Sequence, residues 1–223
     1  MPSVIVTCEH GGNRVPRRWQ PLFRGRARLL SSHRGWDPGA LELARRFGGR
    51  LFFSTTTRLL CDLNRSLHHR ALFSEVTRPL PREERERILA RHWHPYREQV
   101  AAAITAGRHA IHLAVHTFTP VMRGKVRQLD VGLLYDPARA PERDLCRRWR
   151  DALKREMPGL RVRMNAPYRG TADGFPTFLR RQLPASRYVG IELEVSQRFP
   201  LREPAAWRKL QSALVRSFRA VTG

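Results

Sequence analysis

The feature that most constrains the fold is the alternation of short apolar runs with amphipathic helical patterns along the 223 residues. Short runs rich in β-branched residues are typical of strands, and longer patterns with a period near 3.6 residues are typical of helices. The predicted strands are Ser3–Thr7, Leu51–Ser54, Leu59–Asp62, Ala110–Val115, Leu129–Tyr135, Leu160–Met164 and Tyr188–Val195. The predicted helices are Pro38–Phe47, Glu83–Ala106 with a kink at Pro95, about Pro141–Met157, and Glu203–Val221. This order predicts an α/β fold with a parallel or mixed central sheet in one domain, residues 1–223.

The most polar segments of the chain lie at or just past the ends of predicted strands. They contain His10, Asp62–Arg65, His116 and Glu194. In open α/β sheets, ligands bind in the crevice at the carboxyl ends of the strands. The sequence therefore predicts one site at that edge of the sheet.

The chain is strongly basic, with 42 lysine and arginine residues against 19 acidic residues and a formal net charge of +23. Such a charge attracts anions and is common among nucleic-acid-binding proteins. The basic residues are scattered from Arg14 to Arg219 without a low-complexity arm, which favours an arginine-rich enzyme. A basic anion- or nucleic-acid-binding protein remains the alternative.

Cysteine content and hydropathy bear on where the protein acts. The three cysteines form no Cys-x-x-Cys pair, which argues against a disulfide framework and against a cysteine-based zinc site. The first apolar run is too short for a signal peptide, and no stretch approaches the ~20 apolar residues of a membrane-spanning helix. We therefore expect a cytoplasmic protein with no membrane partner.

Two histidines and one aspartate are candidates for a metal site. His10 follows the first predicted strand in a glycine-rich loop, and His116 follows the strand that ends at Val115. A catalytic zinc usually has three protein ligands, often two histidines with a carboxylate, for which Asp37 is a candidate. The alternatives are surface histidines and an aspartate that caps the helix beginning at Pro38.

Two glutamates, Glu192 and Glu194, lie within an otherwise apolar predicted strand. Residues two apart on a strand point to the same face, so both carboxylates should lie on one side of the sheet. A buried carboxylate is costly unless it is paired, and a general base beside a metal would explain it. The alternative is an edge strand with one solvated face.

A third polar segment, Asp62–Ser66, contains Asn64 and Arg65. The arginine fork suits bidentate binding of a substrate carboxylate, and asparagine adds a donor beside it. The alternative is a turn stabilised by its aspartate and asparagine side chains.

Taken in order, these segments resemble the N-formylglutamate amidohydrolase family of the carboxypeptidase-like zinc hydrolase superfamily. The matching motifs are Glu9–Gly12, Gly35–Ala40, Arg58–Arg65, Pro95–Tyr96, His116–Pro120, Asp130–Gly132, Asn165–Tyr168 and Ile191–Gln197. The resemblance implies a three-layer phosphorylase/hydrolase-like fold with one Zn²⁺ held by His10, Asp37 and His116. It also implies a catalytic carboxylate at Glu194 or Glu192.

The resemblance further implies a small acidic N-acyl amino acid as the substrate, with its carboxylate bound by Arg65 and Asn64. Two positions depart from the family pattern. Glu9 replaces a proline, and Arg97 replaces a histidine after Pro95 and Tyr96. The predicted function is zinc-dependent amide hydrolysis, and the alternative is an anion or nucleic-acid binder on an inactive hydrolase scaffold.

Overall fold

The computed structural model describes residues 3–223 and contains a six-stranded sheet with a small separate hairpin. The sheet strands are β1 (Ser3–Cys8), β2 (Arg50–Phe53), β3 (Ala110–Phe118), β6 (Val131–Leu134), β7 (Val162–Met164) and β8 (Tyr188–Ser196), and the hairpin pairs β4 (Val121–Met122) with β5 (Lys125–Val126). The sheet order is β2-β1-β3-β8-β6-β7. All neighbours run parallel except β6 and β8, which are antiparallel. The predicted mixed central sheet is confirmed.

Helices cover both faces of this sheet. The helices are α1 (Ala27–Ser31), α2 (Ala40–Ala44), α3 (Arg82–Ile88), α4 (His94–Thr105), α5 (Ala140–Glu156), α6 (Phe175–Gln182), α7 (Arg198–Arg202) and α8 (Pro204–Thr222). Because alternate strand residues point to opposite faces, Val6 packs with α2, α5 and α8 while its neighbour Ile5 packs with α4 and α6. The predicted three-layer, hydrolase-like fold is therefore confirmed.

Strand β3 explains why the centre of the sheet can carry functional side chains. All nine of its residues are buried, as expected for a parallel strand covered on both faces. Its two histidines have different surroundings. His112 is satisfied within the core, because its ring nitrogens lie 2.7 Å from the Tyr188 hydroxyl and 2.8 Å from Thr7 Oγ1. His116, four residues further on, faces the candidate site.

The predicted strand Leu59–Asp62 is wrong, because this segment forms turns and does not join the sheet. Leu59 is buried in a cluster apart from the sheet. Its carbonyl accepts hydrogen bonds from the hydroxyl groups of Ser74 and Thr77. A short apolar run fits a strand or a buried loop equally well, and partners distant in sequence decided between them.

Two predicted helices are shorter or more divided than expected. Pro38–Phe47 is helical only over Ala40–Ala44, because Gly39 adopts a φ of +82° immediately before it. The segment Glu83–Ala106 forms α3 and α4 separated by a π-helical turn at Leu89–Trp93. This division agrees with the kink predicted at Pro95, which has no N–H to donate. Helix α6 and the β4–β5 hairpin were not predicted.

Among residues 3–223, none of the helices is both long enough and apolar enough to cross a membrane.

Candidate active site

The candidate site lies at the carboxyl ends of β1, β3 and β8. His10 lies two residues after the end of β1. His116 and Glu194 each lie two residues before the end of their strands, β3 and β8. Those two strands extend to Phe118 and Ser196, further than predicted, and their register places His116 beside Glu194. The seven residues predicted for the site all line one cavity: His10, Asp37, Asn64, Arg65, His116, Glu192 and Glu194. The predicted clustering of polar segments at this edge is what the structure shows.

Three buried side chains converge at the base of the cavity. The metal-ligating atoms of His10, Asp37 and His116 lie within 4.8 Å of one another. Asp37 Oδ2 is 3.3 Å from His10 Nδ1 and 3.0 Å from His116 Nδ1. The carboxylate is therefore turned toward the histidines. The side chain of Asp37 does not cap a helix, which was the alternative role. This group could hold a metal ion.

Each histidine has a second carboxylate behind it. Asp62 Oδ1 lies 2.7 Å from His10 Nε2, and Glu9 Oε2 lies 3.2 Å from His116 Nε2. Carboxylates that contact the far nitrogen of a histidine are typical of metal sites, because they fix which ring nitrogen carries the hydrogen. With hydrogen on Nε2, each Nδ1 presents its lone pair toward Asp37 Oδ2.

The same arrangement attracts positive charge. Burial alone would lower the pKa of His116, but its contacts with Asp37 and Glu9 raise this pKa well above the ordinary value. A proton on the ring satisfies the carboxylates in the absence of a metal ion. A cation between Asp37 Oδ2 and the Nδ1 atoms would satisfy them with neutral imidazoles.

Glu192 and Glu194 share a face as predicted, yet their surroundings differ. Glu192 Oε1 accepts a hydrogen bond of 3.1 Å from Asn64 Nδ2. Glu194 is only 8% exposed, and its Oε2 has no hydrogen-bond partner among residues 3–223. Burial raises the pKa of Glu194 to about 8, and the nearby carboxylates of Asp37 and Glu192 contribute in the same direction. Glu194 is therefore the carboxyl group whose environment suits proton transfer near neutral pH.

This raised pKa predicts how the stability of the metal-free protein depends on pH. The Glu194 carboxyl ionises near pH 4.5 when unfolded but holds its proton to about pH 8 when folded. Between these values the folded state binds the additional proton, so this residue makes the free energy of unfolding fall as pH rises. We expect Glu194→Gln to flatten the slope between pH 4.5 and 8, measured by urea unfolding with a chelator present. Parallel slopes for the two proteins would contradict the assignment.

Asn64 and Arg65 line the cavity from the segment that follows the turns at Leu59–Asp62. Asn64 Oδ1 accepts a hydrogen bond of 2.6 Å from the Phe175 N–H at the start of α6, so its amide links Glu192 to that helix. Asn64 therefore has a structural role in addition to lining the cavity. Arg65 is half-buried, and its Nη1 donates to the carbonyl of Asp173.

Sequence reasoning missed several residues of this site. Arg58 lines the cavity and donates to Asp62 Oδ2 through Nε at 3.1 Å and Nη2 at 2.6 Å. Tyr168, Arg169 and Asp173 also line the cavity. Arg58 and Tyr168 stand inside motifs that carry the family resemblance, so both could have been included. Arg169 and Asp173 lie between the second of these motifs and α6, and no local pattern places them over the end of the sheet.

Arg97, which departs from the family pattern, does not line the cavity. It is 3% exposed, and its guanidinium lies 4.1 to 4.5 Å from the ring centres of Trp93, Phe175 and Phe178. Its Nη1 donates to the carbonyl of Leu63, at 3.1 Å. Arg97 thus supports the loop that carries Asn64 and Arg65 from behind.

The comparisons with known proteins bear on the family and the fold of this chain. Residues 2–199 match the family model of N-formylglutamate amidohydrolase. A gene product of Agrobacterium tumefaciens is similar in structure, with 25% identity, a TM-score of 0.76, and coverage of 100% of this chain and 92% of that one. The N-formylglutamate amidohydrolase of Ralstonia eutropha JMP134 shares the fold, with 19% identity, a TM-score of 0.69, and coverage of 99% and 94%. No protein of curated function matches the sequence. Because the family match covers most of its length, the chain belongs to the N-formylglutamate amidohydrolase family.

Proposed function

We propose that this amidohydrolase is zinc-dependent and cleaves the amide bond of a small, acidic N-acyl amino acid such as N-formylglutamate. The observation that carries the proposal is the buried His10–Asp37–His116 group, which opens into a cavity with Glu194 beside it. We also propose that residues 1–223 act as one domain, since the cavity draws side chains from His10 to Gln197. We further propose that this domain acts in the cytoplasm.

Zinc fits the spacing of the three ligands. Bonds of ~2.0–2.1 Å in tetrahedral geometry place the nitrogen and oxygen ligand atoms about 3.3 Å apart. Asp37 Oδ2 lies 3.3 and 3.0 Å from the two Nδ1 atoms, and the ligand atoms of all three residues lie within 4.8 Å of one another, which supports zinc as the metal. When bound, zinc supplies a Lewis acid that activates water and polarises a carbonyl group.

Glu194 moves the proton in the proposed reaction. Glu194 lines the cavity, and its buried Oε2 has no hydrogen-bond partner among residues 3–223. This oxygen takes the proton from the attacking water and returns it to the nitrogen of the leaving amine. A pKa of about 8 without a metal falls once a dication lies nearby, so the carboxylate becomes available as a base.

The cavity suits a substrate of amino-acid size. Its volume is about 200 Å³, below the ~300–1,000 Å³ typical of sites for drug-sized ligands. Arg58, Arg65 and Arg169 bring positive charge to its walls. Arg58 is engaged with Asp62, which makes Arg65 the better placed partner for a substrate carboxylate.

Replacing Arg65 with alanine should raise KM for N-formyl-L-glutamate about 10- to 100-fold and leave kcat within a few-fold. The reason is that a charge-assisted bond to a carboxylate contributes about 1.5–3 kcal/mol in the ground state and transition state alike. The measurement is steady-state kinetics on this substrate and on a neutral N-formyl amino acid of similar size. Arg65→Lys serves as the control that keeps the charge. An unchanged preference for the acidic substrate in Arg65→Ala would contradict this role.

The proposed function is tested by glutamate release from N-formyl-L-glutamate before and after removal of metal with a chelator. We expect activity to disappear on removal and to return with about one equivalent of zinc per chain. Equal activity in the folded, metal-free protein would contradict zinc dependence. Absence of hydrolysis by the zinc-loaded protein, on N-formylglutamate and other N-acyl amino acids, would contradict the substrate class.

A further inference from the structure

Glu9 is a buried acid that no step of the proposed reaction uses. It is 1% exposed, and its Oε2 lies 3.2 Å from His116 Nε2. The contact is off the direction of the ring N–H, so it is a contact between charged or polar groups rather than a well-directed hydrogen bond. Its Oε1 accepts a hydrogen bond of 3.2 Å from the Tyr96 hydroxyl.

Asp62 holds the equivalent place behind His10, and the comparison shows what is particular to Glu9. Asp62 is neutralised by Arg58, which donates two hydrogen bonds to its Oδ2. Glu9 has only the neutral hydroxyl of Tyr96 on its other oxygen, and within residues 3–223 no lysine or arginine forms an ion pair with it. His116 is therefore the charged group in direct contact with Glu9, and the negative charge of Glu9 acts on the metal group through that ring.

The groups that contact the two imidazoles favour a cation. Three carboxylates, Glu9, Asp37 and Asp62, contact the imidazoles, and the Arg58 guanidinium forms ion pairs with Asp37 and Asp62. The buried Arg97 guanidinium also interacts electrostatically with Glu9, from beyond ion-pair distance. Buried charges are costly unless compensated, and a cation at the ligand atoms adds compensation for the carboxylates that contact the imidazoles.

We propose that Glu9 is a positioning residue that tightens the binding of a divalent metal at His10, Asp37 and His116, and that it acts mainly through its charge. This inference rests on the proposed function, because it assumes that the three ligands bind metal. The poor direction of the contact with His116 favours charge over orientation of the ring as the main contribution.

The test is the Kd for Zn²⁺, measured by competition with a chromogenic chelator, in the wild type and in variants. Glu9→Gln keeps the size and the acceptor oxygen but removes the charge, and we expect Kd to rise about 10- to 100-fold. Glu9→Asp keeps the charge and should remain closer to the wild type than Glu9→Gln. Glu192→Gln makes the same chemical change elsewhere in the cavity and should alter Kd less than about threefold, since among residues 3–223 Glu192 bonds to Asn64 and forms no hydrogen bond or ion pair with His10, Asp37 or His116.

The outcomes separate this inference from the function on which it rests. Thermal unfolding of the metal-free variants checks that each is folded, and a structural role alone would lower their stability without changing Kd. Wild-type affinity in folded Glu9→Gln would overturn the inference while leaving the metal site intact. An equal loss in Glu192→Gln would also overturn it, because the effect would belong to the field of the whole cavity. Failure of the wild type itself to bind zinc would overturn the proposed function.

Discussion

The His116→Ala variant should bind no stoichiometric zinc and should lose roughly 10³-fold or more in kcat/KM for N-formyl-L-glutamate. His116 supplies one of three ligand atoms, and a zinc site that retains two protein ligands holds the metal far less tightly. A metal ion contributes several kcal/mol of transition-state stabilisation, and about 4 kcal/mol corresponds to 10³ in rate. The measurements are elemental analysis of the purified protein and initial rates of glutamate release.

His33→Ala is the matched control for this experiment. His33 lines the same cavity but does not belong to the His10–Asp37–His116 group, so its loss should leave zinc content unchanged. Because the substitution leaves the buried carboxylates of Glu9 and Asp37 without their partner, thermal unfolding must show that His116→Ala is folded before its zinc content is compared. Full activity in the folded variant would remove the proposed site. Absence of zinc in both proteins, even after zinc is added, would favour an anion or nucleic-acid binder.

The second large effect is expected for Glu194→Gln, which should lower kcat about 10²- to 10⁴-fold while zinc content stays at the wild-type level. The substitution keeps the shape of the side chain but leaves no group that can accept the proton of water. Because the proposed role of Glu194 is to transfer a proton at the reacting groups and not to bind the distal part of the substrate, KM should change little. The measurements are steady-state kinetics and metal analysis on the same preparations.

Glu192→Gln decides which of the two carboxylates is the base. Glu192 is paired with the amide of Asn64, so the neutral variant should retain most of kcat. The wild-type rate should also rise with pH through the pKa of the base, and this limb should be absent from the residual activity of Glu194→Gln. A larger loss of kcat in Glu192→Gln than in Glu194→Gln would reverse the assignment.

Much of this arrangement could be predicted from local sequence, and the rest depended on contacts between distant segments. The buried strand that begins at Ala110 was predicted as far as Val115, because an apolar run ends there before His116, and such strand ends are where α/β folds place ligands. The structure extends this strand to Phe118. The pairing of Asp62 with His10 joins residues 52 positions apart, and nothing in the turn around Asp62 indicates it. Leu59–Asp62 was predicted as a strand for the same reason, since its burial depends on residues that follow it in the chain.

The burial of Glu9 could not be predicted from the sequence either. In the sequence Glu9 is a charged residue at the start of a loop, where solvent exposure is the common outcome. Only the fold places it 1% exposed between the Tyr96 hydroxyl and His116.

The register of β3 and β8 has a consequence for how members of such a family can diverge. His116 and Glu194 are held side by side by a continuous ladder in the most buried part of the sheet, whereas Arg65, Arg169 and Asp173 reach the cavity from loops. Under the proposed roles, the proton-transfer group and one metal ligand lie on strands, whereas the residues proposed to contact the substrate lie in loops. Exchange of the 165–174 loop with that of a relative should change which acyl group is accepted and leave zinc affinity unaltered. The strands at this edge of the sheet can stay the same while the loops around them are replaced during evolution.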